Sequence, residues 1–204
     1  MEAKQPFWED AYRDPAAPSV FGAVSVEIRS LLPKLPPEST ILDLGCGDGR
    51  NALFLLEHGM IVAAIDISQN AISKLQFKAR AYGNRIRTAV TDARNYVPEH
   101  PFDLIIAHGI LHLLPRPDWS RLIVRLKEKT KPAGFNVVAV FTDSLPPPVD
   151  LDPFMPGLFH EGELMAHYRD WNVELFQSYI LEDEHSGGVC HRHPINKVVA
   201  QKPV

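Results

Sequence analysis

Apolar positions along the chain switch repeatedly between two periods. Short, largely apolar runs at residues 41–44, 60–67, 102–107 and 135–141 have the make-up of buried strands, and 85–91 reads as a further, shorter strand. Between them the apolar residues recur at helical spacing. Val24, Ile28, Leu31 and Leu32 mark a helix over 21–35, and Ala52, Leu53, Leu55 and Leu56 mark one over 51–58. Ser68 is placed to cap a helix carrying Ile72, Leu75, Ala79 and Tyr82, and 119–129 reads as a polar-faced helix. Gly59 and Gly83 stand where the second and third of these helices should stop, and Pro36-Pro37 follows the first. Strands alternating with helices in this way predict an α/β, doubly wound, mostly parallel sheet.

After Phe141 the pattern changes. Residues 145–156 are too proline-rich for a helix or a central strand, and Phe154, Met155, Leu158 and Phe159 predict a packed loop. A short helix over 162–169 and strands over 173–181 and 197–200 follow, with Ser186-Gly-Gly188 as the turn of an antiparallel C-terminal hairpin. The expected whole is one domain, 1–204, with a seven-stranded sheet, an N-terminal arm or lid over 1–20 and a substrate-side loop over 142–160. The arm carries Trp8 and Tyr12 on a turn or two of helix over 7–13 and reads equally as a strap or a lid.

The most informative stretch is residues 40–51, Thr-Ile-Leu-Asp-Leu-Gly-Cys-Gly-Asp-Gly-Arg-Asn. A strand, a turn with glycine at 45, 47 and 49, and a helix set a nucleotide-like ligand over a helix N-terminus at the carboxyl edge of a parallel sheet. A dinucleotide fingerprint fits poorly, because the third glycine comes one residue early and Arg50 stands where that glycine belongs. Asp43, two residues before the first glycine, suits a cationic ligand better than a pyrophosphate.

Composition narrows the function further. A net charge of -4 leaves no electrostatic footprint for nucleic acid or an anionic membrane. No apolar stretch is long enough to span a bilayer, and the N-terminus lacks the apolar core of a signal peptide. Cys46 lies inside the glycine turn and Cys190 far from it, which predicts reduced thiols and a cytoplasmic protein. These features point to a small-molecule substrate, no nucleic-acid or membrane partner, and an oligomeric state that the sequence does not fix.

Further candidate chemistry sits at strand ends. Asp66, roughly 20 residues beyond the glycine turn, can accept two ribose hydroxyls, or simply cap the next helix. Asp92, followed by Ala93, can take an adenine amine while a neighbouring amide meets a ring nitrogen, or be a turn residue. His108 and His112, four apart, would share a helix face and line a site or pack; without an adjacent glutamate they do not match a metalloprotease motif. His185, Cys190, His191 and His193 crowd the hairpin. They read as a polar tip, as a cationic wall for an anion built from His185, Arg192 and His193, or as soft metal ligands. Alternation on a strand puts His191 and His193 on one side and Arg192 on the other.

Taken together, the residues of 43–49, Asp66, Thr91-Asp92-Ala93, Phe102-Asp103 with the run to Ala107, and Lys131-Pro-Ala-Gly134 resemble the class I S-adenosylmethionine (SAM)-dependent methyltransferases. Ala133 replaces a glycine of that family's turn. The resemblance implies a Rossmann-like sheet with SAM over the first strand and S-adenosylhomocysteine as product. It implies contacts from Gly45, Cys46 and Gly47, with Arg50 and Asn51 completing the turn. Asp43 would meet the methionine amine, Asp66 the ribose, Ile67 the adenine face, and Asp92 with Ala93 the adenine edge. His108, and Gly109 beside it, would lie near the sulfonium. Asp48-Gly-Arg-Asn51, Leu158-Phe-His-Glu-Gly-Glu-Leu164 and Tyr168-x-x-Trp171 are similar to the tellurite-resistance methyltransferase branch. That branch implies methyl transfer to a chalcogen oxyanion, with His185 and Arg192 binding it. A thiol, amine or hydroxyl acceptor would instead need a base, for which His108, His112 or His185 has a suitable range. A non-catalytic module that binds SAM or its product is a further reading.

Overall fold

The computed structural model describes residues 7–19, 21–185 and 189–204. Its main elements are α1 (Phe7–Ala11), α2 (Val26–Leu31), β1 (Thr40–Leu44), α3 (Arg50–Glu57), β2 (Ile61–Asp66), α4 (Gln69–Ala79) and β3 (Ile86–Val90). They continue as β4 (Phe102–His108), α5 (Arg116–Glu128), β5 (Thr130–Phe141), α6 (Glu163–His167), β6 (Asn172–His185) and β7 (Val189–Gln201). The seven strands form one α/β sheet in the order β3-β2-β1-β4-β5-β7-β6. The chain divides into two compact units, Met1–Ile106 and Ala107–Val204.

In the first unit β1 lies between β2 and β4 and runs parallel to both, with Thr40 beside Ile61 and Ile41 beside Leu104. Ile41, Leu42 and Leu44 are wholly buried, as a continuous apolar run in a parallel sheet should be. Asp103 fixes the register at its start: its Oδ2 accepts from the Thr40 amide at 2.7 Å and the Thr40 hydroxyl at 2.8 Å. Ala52, Leu55 and Leu56 form the buried stripe of α3, and the Ser68 hydroxyl caps α4 by accepting from the Ala71 amide at 3.1 Å. The order of connections reverses beside β1, at the carboxyl ends of parallel strands, where open α/β sheets hold their ligands.

The helix expected over 21–35 is shorter, and the cause is visible. Arg50 donates from Nη1 to the Phe21 carbonyl at 2.6 Å and lies 3.4 Å from that of Ala23, while the Ser25 amide donates to Asn51 Oδ1 at 3.1 Å. These backbone groups are drawn onto α3, so α2 begins only at Val26.

The second unit is built on β7, antiparallel to β5 from Phe135↔Gln201 to Phe141↔Ile195 and to β6 from Asn172↔Gln201 to His185↔Val189. The hairpin strands are longer than 173–181 and 197–200, because pairing continues through polar residues where the apolar pattern stops. The expected Ser186-Gly-Gly188 turn lies outside the described residues. β5 begins at Thr130, not Phe135, so the Lys131-Pro-Ala-Gly134 turn falls within it. Ala133 has a positive φ of 59° and donates to the Lys202 carbonyl at 3.1 Å. The proline-rich loop is packed, with Leu151, Met155 and Phe159 buried and Phe159 stacked on Trp119 at 3.9 Å. Gly157 is needed there for lack of a side chain, since a Cβ would overlap the Leu114 carbonyl. Among the described residues no helix is long and apolar enough to cross a membrane.

A buried polar chain ties this unit together. Asn136 Oδ1 lies 2.7 Å from the Thr130 hydroxyl, and Asn136 Nδ2 donates to the Tyr168 hydroxyl at 3.0 Å. Tyr168 is fully buried, and burial pushes its phenol above the usual range. Tyr168→Phe strands the Asn136 amide in the core, and is expected to cost about 1–3 kcal/mol. Urea denaturation should show a lower midpoint at an unchanged slope; a loss under about 0.5 kcal/mol would mean that the bond contributes nothing net.

Candidate active site

The glycine turn is held by the strand beside it. The amides of Gly45 and Cys46 both donate to the Ile65 carbonyl, at 2.8 and 3.0 Å, and the Gly47 amide donates to Asp66 Oδ2 at 2.8 Å. Gly49 takes φ 86° as the residue capping α3, and a Cβ there would overlap Leu75. Gly47, with φ 53°, has the Tyr12 hydroxyl 2.8 Å from where a Cβ would sit. Glycine at 47 and 49 is therefore required twice over, by conformation and by space.

Asp43 occupies the end of β1 with 2% exposure. The Ala52 amide hydrogen-bonds its carboxylate, but Oδ2 is buried without a hydrogen-bond partner. Burial pushes its pKa up to about 7, against the opposing pull of Arg50, and nearby Asp66 raises it further. A buried carboxylate oxygen left open above a glycine cradle fits a ligand carrying an amine cation.

Asp66 ends β2 with both oxygens engaged by backbone, Oδ2 by Gly47 and Oδ1 by the Ser68 amide at 2.9 Å. Burial raises its pKa and these amides lower it. The Ile67 amide also bonds this carboxylate, which keeps lone-pair capacity for a hydroxyl donor. Ile67, the next residue, is 68% exposed, an apolar surface beside the acid of the kind an aromatic base covers. Asp92 is gripped by its neighbour: Oδ1 accepts from the Arg94 amide at 2.8 Å, and the guanidinium closes on both oxygens, holding the carboxyl below its usual range. A ligand amine at Asp92 therefore has to share that carboxylate with Arg94. Ala93 is buried.

Three residues expected at the ligand have partners within the protein. Arg50 and Asn51 hold residues 21–25, as described above. Cys46 is buried, its Sγ 3.5 Å from the Gly47 carbonyl, and burial among carboxylates pushes its thiol up, so it is no nucleophile.

The sequence did not single out the clamp beneath the turn. Asp48 and Lys74 form an ion pair at 3.1 Å, both essentially without solvent exposure. The Ser19 hydroxyl donates to Asp48 Oδ1 at 2.6 Å, and Lys74 donates to the carbonyls of Ala11 and Pro18, each at 3.2 Å. Lys78 donates to the Ala17 carbonyl at 3.0 Å. Residues 11–19 are thus strapped onto α4 and the glycine turn, bringing Tyr12 over Gly47. Burial and the nearby carboxylates of Asp66 and Asp48 push the Tyr12 phenol up, so it stays a hydrogen-bond donor. The available signal was Lys74 itself, a charge inside the apolar stripe of Ala71, Ile72 and Leu75.

In the second unit His108 ends β4, and the Gly109 amide donates to the Ala139 carbonyl at 2.9 Å. His112 does not share a helix face with His108; it lies in a short 3-10 turn and is buried. Its Nδ1 accepts from the Phe141 amide at 3.2 Å, its ring stacks on Phe141, and burial pushes its pKa down to about 3. It is an anchor for β5 and a poor proton acceptor at neutral pH. His193 stacks on the same phenylalanine, and His191 meets Asp150 at 3.3 Å. Arg192 points the other way, exposed and 3.3 Å from Glu182 across the hairpin. Arg192 and His193 therefore do not make one cationic wall, because strand neighbours face apart. The His185 side chain lies outside what the structure describes. Among the described residues no three His, Cys, Asp or Glu side chains are grouped to hold a metal ion.

Comparison with known proteins adds to this geometry. The family model described as tellurite resistance protein TehB matches residues 20–187. Over 133 residues the chain is 34% identical to the probable S-adenosyl-L-methionine-dependent methyltransferase TehB of Haemophilus influenzae, covering 64% of this chain and 45% of that protein. The chain thus spans less than half the length of that relative. The crystal structure of TehB from Haemophilus influenzae superposes with a TM-score of 0.78 at 25% identity, covering 88% of this chain and 62% of that one. The N-methyltransferase NodS of Bradyrhizobium japonicum, in complex with S-adenosyl-L-homocysteine, superposes with a TM-score of 0.67 at 16% identity, covering 87% and 85%, a likeness of fold alone.

The open Asp43 oxygen has a measurable consequence. Its pKa is raised on folding, so the ligand-free protein loses stability from Asp43 as pH rises from about 4, the unfolded value, to about 7. Asp43→Asn removes that cost. By differential scanning fluorimetry the variant should match the wild type near pH 4 and exceed it at pH 8. A shift of about 2–4 °C is expected per kcal/mol. No growth of the difference with pH would show that Asp43 is ionised without penalty.

Proposed function

This chain belongs to the tellurite resistance protein TehB family of class I SAM-dependent methyltransferases, and on that premise we propose that it transfers the methyl group of SAM to a small-molecule acceptor. The observation that carries the reading is the buried, unpartnered oxygen of Asp43 above the glycine turn at the carboxyl end of β1. When bound there, SAM supplies a methyl already activated on a sulfonium, so that an acceptor lone pair displaces a neutral thioether.

The chain's own part is to hold and orient. Asp43 takes the ammonium, an ion pair favoured by the absence of water. The backbone of Gly45 and Gly47 lies against the ligand, and the free lone pairs of Asp66 accept the ribose hydroxyls. Ile67 covers the adenine face, and Asp92 with Ala93 meets its edge. Cys46, Arg50 and Asn51 complete the turn around the ligand.

For the acceptor we propose a chalcogen oxyanion of the tellurite or selenite type. Its chalcogen lone pair attacks without loss of a proton, so the reaction asks for no base. A buried His112 with a pKa of about 3 accords with that demand. His108, at the end of β4, is the candidate contact for the oxyanion.

The test is S-adenosylhomocysteine release from purified protein and SAM with tellurite or selenite, alongside mass-spectrometric detection of the methylated oxyanion in solution. Release should depend on the oxyanion, and Asp66→Ala should weaken SAM binding by about 10–100-fold in calorimetry, as expected for lost charge-assisted bonds. Release only with thiols, amines or phenols would remove the chalcogen acceptor and keep the methyltransferase. Tight SAM binding without turnover on any nucleophile would make the chain a cofactor-binding module.

A further inference from the structure

On the SAM reading, three parts of the ligand have partners: the ammonium at Asp43, the ribose at Asp66, and the adenine at Ile67 and Asp92. The methionine carboxylate has none, and most donors near the glycine turn already have acceptors in the protein. The amides of Gly45 and Cys46 go to the Ile65 carbonyl, that of Gly47 to Asp66, and that of Gly49 to the Cys46 carbonyl at 3.0 Å. Lys74 has Asp48 and the carbonyls of Ala11 and Pro18, an acceptor for each of its protons. The Ser19 hydroxyl goes to Asp48, and Lys78 to the Ala17 carbonyl.

Tyr12 is different. The residue is 4% exposed, and its hydroxyl lies 2.8 Å from where a Gly47 Cβ would sit. Among the described residues that hydroxyl makes no hydrogen bond; it is influenced only by burial and by the charges of Asp66, Asp48, Cys46 and Glu9 around it. A buried phenol usually finds a partner. This one is also held in place on both sides. Lys74 grips the carbonyl of Ala11 next to it, and Asn70 of α4 donates to Glu9 Oε2 at 3.2 Å. The strap thus fixes an unused donor over the turn.

We infer that the Tyr12 hydroxyl donates to the methionine carboxylate of bound SAM, so that the strap selects a cofactor carrying that group. The inference rests on the SAM reading. A lysine or arginine at this place would be drawn onto Asp66 or Glu9, whereas a phenol kept neutral by burial and by those acids retains its proton for a ligand. Being neutral, it also adds no negative charge where an anionic group has to enter. A carboxylate is a stronger acceptor than a ribose hydroxyl, and the ribose already has Asp66. Glycine at 47 is what lets the hydroxyl come so close.

Calorimetric titration of the full chain with SAM and with decarboxylated SAM, which keeps the ammonium, sulfonium, ribose and adenine, tests this. The wild type should prefer SAM. Tyr12→Phe should weaken SAM by about 10–100-fold, the range of a hydrogen bond to a charged group, and decarboxylated SAM by less than about twofold. Because the hydroxyl has no partner in the ligand-free protein, the thermal midpoint of the variant should not fall, which separates a lost ligand bond from a loosened strap. Equal weakening of both ligands would put the hydroxyl on the ribose. No weakening of SAM, or a wild type without preference between the two, would leave the carboxylate to another donor. Each of these overturns the inference while SAM binding stands; a wild type that binds neither ligand removes the SAM reading and the inference with it.

Discussion

Asp48 and Lys74 have left water together, and the geometry around the glycine turn depends on that pairing. Neither charge is tolerable alone in a site essentially closed to solvent, where breaking such a pair costs about 3–5 kcal/mol. Asp48 belongs to the turn and Lys74 to α4, so the pair fixes the loop on the helix that packs beside it. The remaining donors of Lys74 are directed at the carbonyls of Ala11 and Pro18, and the remaining oxygen of Asp48 at Ser19. One ion pair thereby sets the turn, the helix and the strap, and through the strap the position of Tyr12 over Gly47.

The residues whose pattern resembles the tellurite-resistance methyltransferases are largely the residues that hold such supports in place. Arg50 and Asn51 bind backbone of residues 21–25. In the second unit Glu163 pairs with Arg116 at 2.6 Å, Tyr168 accepts from Asn136, and Trp171 packs edge-on against Tyr168 with the Lys127 ammonium 5.5 Å from its ring centroid. Those side chains join α5, α6 and the strands into one core. That pattern records how the scaffold is tied, which is a different matter from which atoms touch a substrate.

How much was legible follows from the range of each interaction. Buried parallel strands are largely apolar runs, so β1, β2 and β4 could be read to within about two residues, and Ser68 announced the start of α4 by local capping. The glycine turn and the acids at 43 and 66 share a short stretch of strand and loop and were equally plain. Three things were not. The shortened α2 depends on Arg50 and Asn51, more than 20 residues away. The extended hairpin is held by cross-strand backbone bonds that leave no mark on the side-chain pattern. The buried His112, a polar residue between apolar ones, reads from sequence equally as site-lining or as packed, and is an anchor under Phe141, because only packing decides whether an imidazole meets water.

The three carboxylates around the turn show why one ligand chemistry is favoured. Asp48 is neutralised by Lys74. Asp66 is satisfied by the backbone amides of Gly47, Ser68 and Ile67. Asp43 has the Ala52 amide and the partial influence of Arg50, and its Oδ2 is left without a bond. Three acids clustered about a loop that offers backbone amides would repel a pyrophosphate, whose charges need those amides unopposed. A dinucleotide is thus disfavoured by the same side chains that leave one negative charge unanswered. A ligand with an ammonium and a ribose answers both remaining demands, the open oxygen of Asp43 and the free lone pairs of Asp66. In the protein without ligand that unanswered charge is a cost, met in part by proton uptake at Asp43 near neutral pH. Binding a cation there releases the proton and recovers the cost, so part of the affinity is stored in the fold before the ligand arrives.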